Sequence, residues 1–365
     1  MSADDGYLRH RGSRQADMLI DGQVGGTVDG NWGRDAAALV EQVRQADAMG
    51  FDGIWTTEIK HDPFLPLAVA TQHTRRLDLG TGIAVAFARN PMTVAATAND
   101  LQALSGGRFT LGLGSQVRPH IERRFSMPWS APAERMREFI LAVKAIWATW
   151  ATGAPLEVEG EFYRHTLMTP MFDPGPNPHG PPPILLAAVG ARMAAVAGEV
   201  ADGLLVHGFT SERYLRDVTL AGVTAARAGA GRADAPFTVS YPGLVVTGRD
   251  AGEMQTATAS VRKQLAFYGS TPAYRPVLDH HGWGDLQPAL QQLSRRGEWD
   301  EMASLIDEEL LGTFAIVAAP DRVADAIRTR FDGAVDRFTL YTPYAAHPSV
   351  VSRIVRDLHD AAGTA

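Results

Sequence analysis

What most constrains the fold of this chain is an alternation that runs its whole length. Short runs of aliphatic and β-branched residues are each followed by a stretch with helical spacing. Apolar runs suited to buried strands fall at 18–20, 51–56, 77–87, 109–113, 183–187, 203–206, 237–246 and 337–341. Segments with helical periodicity follow at 34–49, 66–74, 91–104, 133–149, 191–200, 211–228, 251–267 and 348–361. Helical crossovers between buried strands mean a parallel sheet. A count of eight such units favours a closed (β/α)8 TIM barrel over an open doubly wound sheet. Two regions fall outside the repeat. Residues 152–182, after the fourth strand, are rich in Pro and Gly and contain a hairpin-like "LEVEGEFYRH"; residues 270–335, after the seventh, carry extra helices. Both are expected as insertions on one barrel domain spanning 16–365, with 1–15 as a loose tail.

Composition excludes several functions. The 365 residues, 45% of them hydrophobic, can bury a large core. With no cysteine, disulfide and thiolate chemistry are impossible. The net charge is −7 and the arginines are scattered, so no nucleic-acid footprint is present. No run approaches the ~20 apolar residues of a membrane span. The opening "MSADDGYLRHRGSRQAD" carries charge where a signal peptide needs an apolar stretch, so a cytoplasmic location is expected. No short metal-binding signature such as HExxH occurs, and no metal is expected.

In a (β/α)8 barrel the chemistry lies at the C-terminal ends of the strands. After the second strand, "TTEIKHDPF" supplies Glu58, Lys60 and His61. Glu58 reads equally as a site carboxylate or a surface one, and His61 as a site residue or a turn former beside Asp62-Pro63. "GLGSQVRPH" follows the fourth strand; its glycines form only part of a dinucleotide motif. Arg118 and His120 there suit an anionic substrate or, equally, surface pairing with Glu122 and Glu134. The fifth strand leads into "AAVGAR", the sixth into His207 and the eighth into Tyr344 and His347. The third strand, "LDLGTGIAVAFARNP", keeps two glycines, which weaken a strand unless the backbone bulges or something approaches it closely.

The block "LDLGTGIAVAFARNPMTVAATANDLQALSGGRFTLGLGSQ" resembles the luciferase-like monooxygenase superfamily, as do "AMGFDGIWTTE" and "ILLAAVGARMAAVAGEVADGLLVHGF". "TTEIKHDPFLPLA" and "GSQVRPHIERRFSMPW" are most similar to its branch dependent on the deazaflavin coenzyme F420. The resemblance implies an oxidoreductase that holds F420 at the barrel mouth and passes a hydride to or from a small organic substrate. It implies a non-proline cis peptide at Gly82–Ile83 behind the ring. It places the cofactor phosphate at the helix start formed by Ala188, Val189, Gly190 and Ala191, and Ser115 and Gln116 near the ring and ribityl chain. Members are often dimers, so a homodimer is expected.

The chain departs from the family at two catalytic positions. The histidine after the second strand is replaced by Ile59, and the glutamate after the fourth by Val117. The acid–base pair of the glucose-6-phosphate dehydrogenase type is therefore absent. Glu58, as a ring-contacting or general-acid group, and His61, as a displaced acid/base, are the candidates. Two other readings stand beside this one: an FMN-dependent monooxygenase using reduced flavin and O2, and a barrel that binds a cofactor without turnover. His280, His281 and Trp283, in the long segment 270–300, suit a lid over the site or a surface excursion.

Overall fold

The computed structural model describes residues 18–23 and 36–360; the expected tail lies outside them. Eight parallel strands close into a barrel: β1 (Leu19–Gln23), β2 (Gly53–Thr56), β3 (Asp78–Thr81), β4 (Phe109–Gly114), β5 (Ile184–Ala188), β6 (Gly203–Val206), β7 (Thr238–Val246) and β8 (Arg337–Tyr341). Each pairs with the next, and β8 returns to β1 with Arg337 opposite Leu19. Helices on the outside follow the strands, as the periodicity predicts. The (β/α)8 barrel is thus the fold.

Two details depart from the pattern. The third strand stops at Thr81, short of the expected 87. A two-residue segment, Ala84–Val85, resumes the pairing with β4, and a 3-10 turn follows at Ala86–Ala88. The second departure is a ninth parallel strand, Ala315–Val317, inside the region expected to add helices alone. β7 is nine residues long and outruns β6. Ser240 is opposite both Arg337 and Leu205, while Leu244 is opposite both Tyr341 and Ala315. The short strand therefore covers the upper edge of β7 above β6, where unpaired N–H and C=O groups would otherwise remain. The 152–182 insertion does form a hairpin, Val158–Glu159 against Arg164–His165.

The two faces of the barrel wall differ sharply. Outward residues such as Ile20, Ile54, Leu79, Leu111, Leu186 and Phe338 are fully buried under the helices and form the main core. The inward face carries few large side chains, and glycines make room for them. A Cβ on Gly80 would lie 2.4 Å from the ring of Trp55, and one on Gly53 would lie 2.6 Å from Arg337 Nη2. One of the two glycines that weaken the third strand is thus required by Trp55.

Arg337 is the centre of that interior. Its Nε and Nη2 donate to the two oxygens of Asp21 at 2.8 and 2.7 Å, and its Nη1 donates to Asp78 at 2.8 Å. Trp55 Nε1 donates to Asp21 at 2.9 Å. Asp21 is wholly buried. Burial holds the Asp78 carboxyl above its ordinary pKa, against the opposing pull of Arg337. Removing the guanidinium leaves Asp21 as an unpaired buried charge. Arg337→Met should therefore cost about 3–5 kcal/mol in urea unfolding. Asp78 behaves in the opposite sense. Its raised folded pKa means that its ionised form is disfavoured on folding, a penalty present at neutral pH and relieved as pH falls through that pKa. Asp78→Asn should gain stability relative to wild type at pH 7, and the gap should close on acidification; a gap that widens in acid would contradict this.

Candidate active site at the barrel mouth

The interruption of the third strand builds the floor of the mouth. The peptide bond between Gly82 and Ile83 is cis. Gly82 N donates to Thr56 O at 2.7 Å, which ties the bulge to the end of β2. Ile83 packs with Trp55, Leu185, Leu205 and Ala187 in an apolar cluster inside the barrel. Ile83 and Ala187 keep part of their surface accessible. The cluster depends on Gly114, where a Cβ would lie 2.4 Å from Ile83 Cδ1.

Glu58 holds this floor from the β2 side. Its Oε2 accepts from Val85 N at 2.7 Å and from Arg89 Nη1 at 2.6 Å, and its side chain is 7% exposed. Arg89 also donates to Val85 O at 3.1 Å and to Asp62 Oδ2 at 3.1 Å. Asp62 Oδ1 in turn accepts from Phe64 N and Leu65 N at the start of the helix Phe64–Ala70. The clamp thus joins the loop after β2 to the segment after the bulge. His61 is half-buried in the bend between Glu58 and Asp62. Arg89 stands within the motif "AFARNP", yet its role follows only from a partner 31 residues away.

The other expected residues continue round the rim on neighbouring strands. Ser115 and Gln116 follow β4 and are half-buried. Gln116 has φ 60°, and its side-chain oxygen accepts from Val117 N at 3.0 Å. Ala188 ends β5, and Ala191 opens the helix Ala191–Val200. Gly190 is the N-cap of that helix, with φ −87° and no side-chain cap for the first-turn N–H groups. A Cβ there would meet nothing within 4 Å. Neither packing nor backbone conformation calls for glycine at 190. Arg118 pairs with Glu122 at 2.9 Å on the surface, whereas Glu134 pairs with Arg192.

The opposite side of the rim holds residues that the sequence left without a role. Leu205 faces inward, so alternation places His207, just past β6, above it. His207 stacks on Tyr274 at 4.4 Å and meets Tyr268 edge-on at 4.7 Å. Tyr268 Oη lies 3.1 Å from Tyr341 Oη at the end of β8. Tyr274 belongs to the insertion, which is fastened outside the barrel. His281 stacks on Trp283 at 4.9 Å and lies 2.7 Å from Ser211 Oγ, and His280 lies 3.3 Å from Asp217 Oδ2. These residues anchor the segment beside the loop after β6; Tyr274 is what it sends toward the mouth. Among the described residues no group of three or more His, Asp or Glu is arranged to hold a metal. No described helix is long and apolar enough to cross a membrane.

Glu58, the bulge, Ser115–Gln116, the Gly190 helix start and His207 therefore occupy the ends of five consecutive strands. Comparison with known proteins fits this geometry: residues 15–337 match the family described as luciferase-like monooxygenase. The chain belongs to that family. It is 53% identical over 310 residues to the "Uncharacterized protein Rv1360" of Mycobacterium tuberculosis, covering 85% of this chain and 91% of that one. It is 30% identical over 310 residues to the "Putative coenzyme F420-dependent oxidoreductase Rv3520c" of the same organism, covering 80% and 88%. The solved coenzyme F420-dependent tetrahydromethanopterin reductase of Methanopyrus kandleri superposes with a TM-score of 0.74 at 19% identity, over 95% of this chain and 99% of that one. The oxygenating constituent of 3,6-diketocamphane monooxygenase from Pseudomonas putida, solved with FMN, gives 0.64 at 16%, over 94% and 98%. Proteins that share this fold thus include both an F420-dependent reductase and an FMN-bound monooxygenase.

Burial pushes the His207 imidazole down to about 4 from the ordinary 6.5. A histidine whose folded pKa is depressed is protonated first in the unfolded chain, so the folded state loses stability as pH falls from about 6.5 toward 4. Urea midpoints at pH 7 and pH 4.5 should show a smaller acid loss for His207→Phe than for wild type. An equal loss would mean that the His207 imidazole is not held below its ordinary pKa in the folded state.

Proposed function

We propose that this protein is an F420-dependent oxidoreductase that transfers a hydride between the deazaflavin and a small organic substrate. The observation that carries the reading is Gly190. It is a glycine that packing does not need, at the uncapped start of a ten-residue helix, on the strand next to the bulge strand's neighbour. Free first-turn N–H groups and the helix dipole favour an anion, and a missing side chain lets a phosphate come close. Ile83 and Ala187, part-exposed over the buried Trp55, Leu185 and Leu205, supply an apolar ledge suited to a fused ring. The residues present therefore fit a ring with an anionic tail. The 30% identical relative named as a putative F420-dependent oxidoreductase supports the deazaflavin over FMN.

When bound, F420 supplies a ring carbon that gives or takes a hydride. This chain's residues supply position. Glu58 works through Arg89 and Val85 N to hold the bulge, so that Ile83 presents a fixed face to the ring. Ser115 and Gln116 lie beside that bulge, since Gly114 pairs with Val85. Both hydrogen bonds that Glu58 Oε2 accepts hold the bulge segment, so in this reading Glu58 is a positioning residue. His61, half-buried beside the clamp, remains the candidate acid/base on that side of the mouth.

Equilibrium binding to the purified protein, followed by quenching of cofactor fluorescence, tests the proposal. F420 should bind tightly and FMN weakly. Gly190→Asp should fold, because Asp is a good N-cap. Its carboxylate would occupy the phosphate's N–H groups and repel the anion, so F420 affinity should fall roughly tenfold or more. A preference for FMN would instead make the protein a flavin monooxygenase, and binding of neither would leave only the fold.

A further inference from the structure

We propose that Tyr274, oriented by His207, is the proton donor to substrate at this site, and that the substrate is an uncharged carbonyl compound reduced to an alcohol. The proposal rests on the F420 reading above and names what that reading leaves open.

The hydrogen bonds around His207 fix the direction of the donor. His207 Nδ1 accepts from Phe209 N at 3.0 Å, so Nδ1 carries a lone pair and the neutral ring is protonated at Nε2. Nε2 lies 3.1 Å from Tyr274 Oη. The imidazole therefore donates and the phenol oxygen accepts. The hydroxyl proton of Tyr274 is then not used within this pair and is free to point away from it. Tyr274 is half-buried, so the hydroxyl is neither sealed in the core nor loose in solvent. Stacking on His207 and tilted packing against Phe209 fix its ring, and the anchors at His280 and His281 fix the segment that carries it.

The surroundings select the substrate. Around the pair stand Tyr268, Tyr341, Phe209 and, beyond it, Phe314; the titratable groups facing it are the hydroxyls of Tyr268 and Tyr341, which bond to each other. Burial keeps His207 neutral and pushes the Tyr274 hydroxyl up to about 12, so both stay uncharged at pH 7. Among the described residues, the side chains packed against the pair are aromatic and uncharged, so nothing in direct contact with it would pair with a phosphate or carboxylate on the substrate. A neutral O–H donor among aromatic rings, by contrast, suits a carbonyl oxygen on which negative charge develops. The step balances with reduced F420 as the two-electron donor. A hydride bonds to the carbonyl carbon, the C=O π bond breaks toward oxygen, and that oxygen takes the Tyr274 proton. The phenolate is held by the Nε2–H of His207 until water returns the proton.

Two measurements test this. The first uses the cofactor-free protein: imidazole nitrogen shifts should show His207 as the Nε2–H tautomer, unprotonated at pH 6. The Nδ1–H tautomer would overturn the proposal. The second follows oxidation of bound reduced F420 in single turnover by acetone, cyclohexanone and benzaldehyde, with pyruvate as the charged counterpart. At least one neutral carbonyl should react and pyruvate should not. Tyr274→Phe should slow the step about 100-fold or more while F420 affinity stays unchanged. His207→Phe should move the alkaline limb of the rate profile upward, because the phenolate loses its donor; a merely structural role would leave that limb in place. Full rate in Tyr274→Phe, or F420 bound with no neutral carbonyl reacting, overturns the proposal. Failure of F420 to bind wild type instead removes the reading beneath it, while the tautomer result still reports whether the pair is built as described.

Discussion

The contact of Arg337 with Asp21 and Asp78 is the constraint on which the barrel depends. It joins the last strand to the first across 316 residues and to the third across 259. Trp55 of the second strand is bonded to the same Asp21. Closing so long a loop has an entropic cost that grows only slowly with length, and hydrophobic burial under the helices can meet it. Burial alone does not choose the register. A shift of one residue in β8 would turn Arg337 outward and Phe338 inward, which strands a guanidinium in the helix layer and two carboxylates in the interior. The ion cluster therefore acts on specificity more than on net stability.

Register then decides the site. With Leu19 opposite Arg337 and Gly53 opposite Asp21, the strand ends arrive at the rim in fixed order and height. The sparse interior has a second consequence. Trp55 fills the space left by Gly80, and Ile83 the space left by Gly114, so the ledge is assembled from residues on different strands that meet only when the register is right. A floor made this way is rigid without a large internal core. Glu58 and Arg89 add a clamp at its edge, and that clamp uses the carboxylate which a reading of residue types alone would give to catalysis.

Much of this was legible in the sequence and some was not, for physical reasons. β6 and β8 and the helix Ala191–Val200 match their expected bounds because apolar runs there end at Gly, Pro or charged residues. β1 extends to Gln23 rather than stopping at Ile20 because Asp21 is a strand residue turned inward. A buried aspartate breaks the apolar pattern, and its partner lies at the other end of the chain. β3 was expected to run on to 87 because hydrophobicity continues through the bulge while backbone direction does not. Glu58, Gly82, Gly190 and His207 were visible as residues at strand ends. The neighbours of three of them were not: Arg89, Trp55 and Tyr274 reach Glu58, Gly82 and His207 from 31, 27 and 67 residues away in the chain.

The strand Ala315–Val317 shows how the insertion and the barrel depend on each other. By covering the free edge of β7 above β6, it lets the chain between them leave the barrel wall and return without exposing a ladder. The same excursion carries Tyr268 and Tyr274 back over the rim, where they meet His207 and Tyr341, the inward residues at the ends of β6 and β8. Half of the mouth is thus built by strand ends, from Glu58 round to Gly190. The other half is built by Tyr274 of this insertion together with His207, Tyr268 and Tyr341. The proposed cofactor surface of the first half and the neutral hydroxyl of the second can be varied independently, because they share the barrel's register and no side chain.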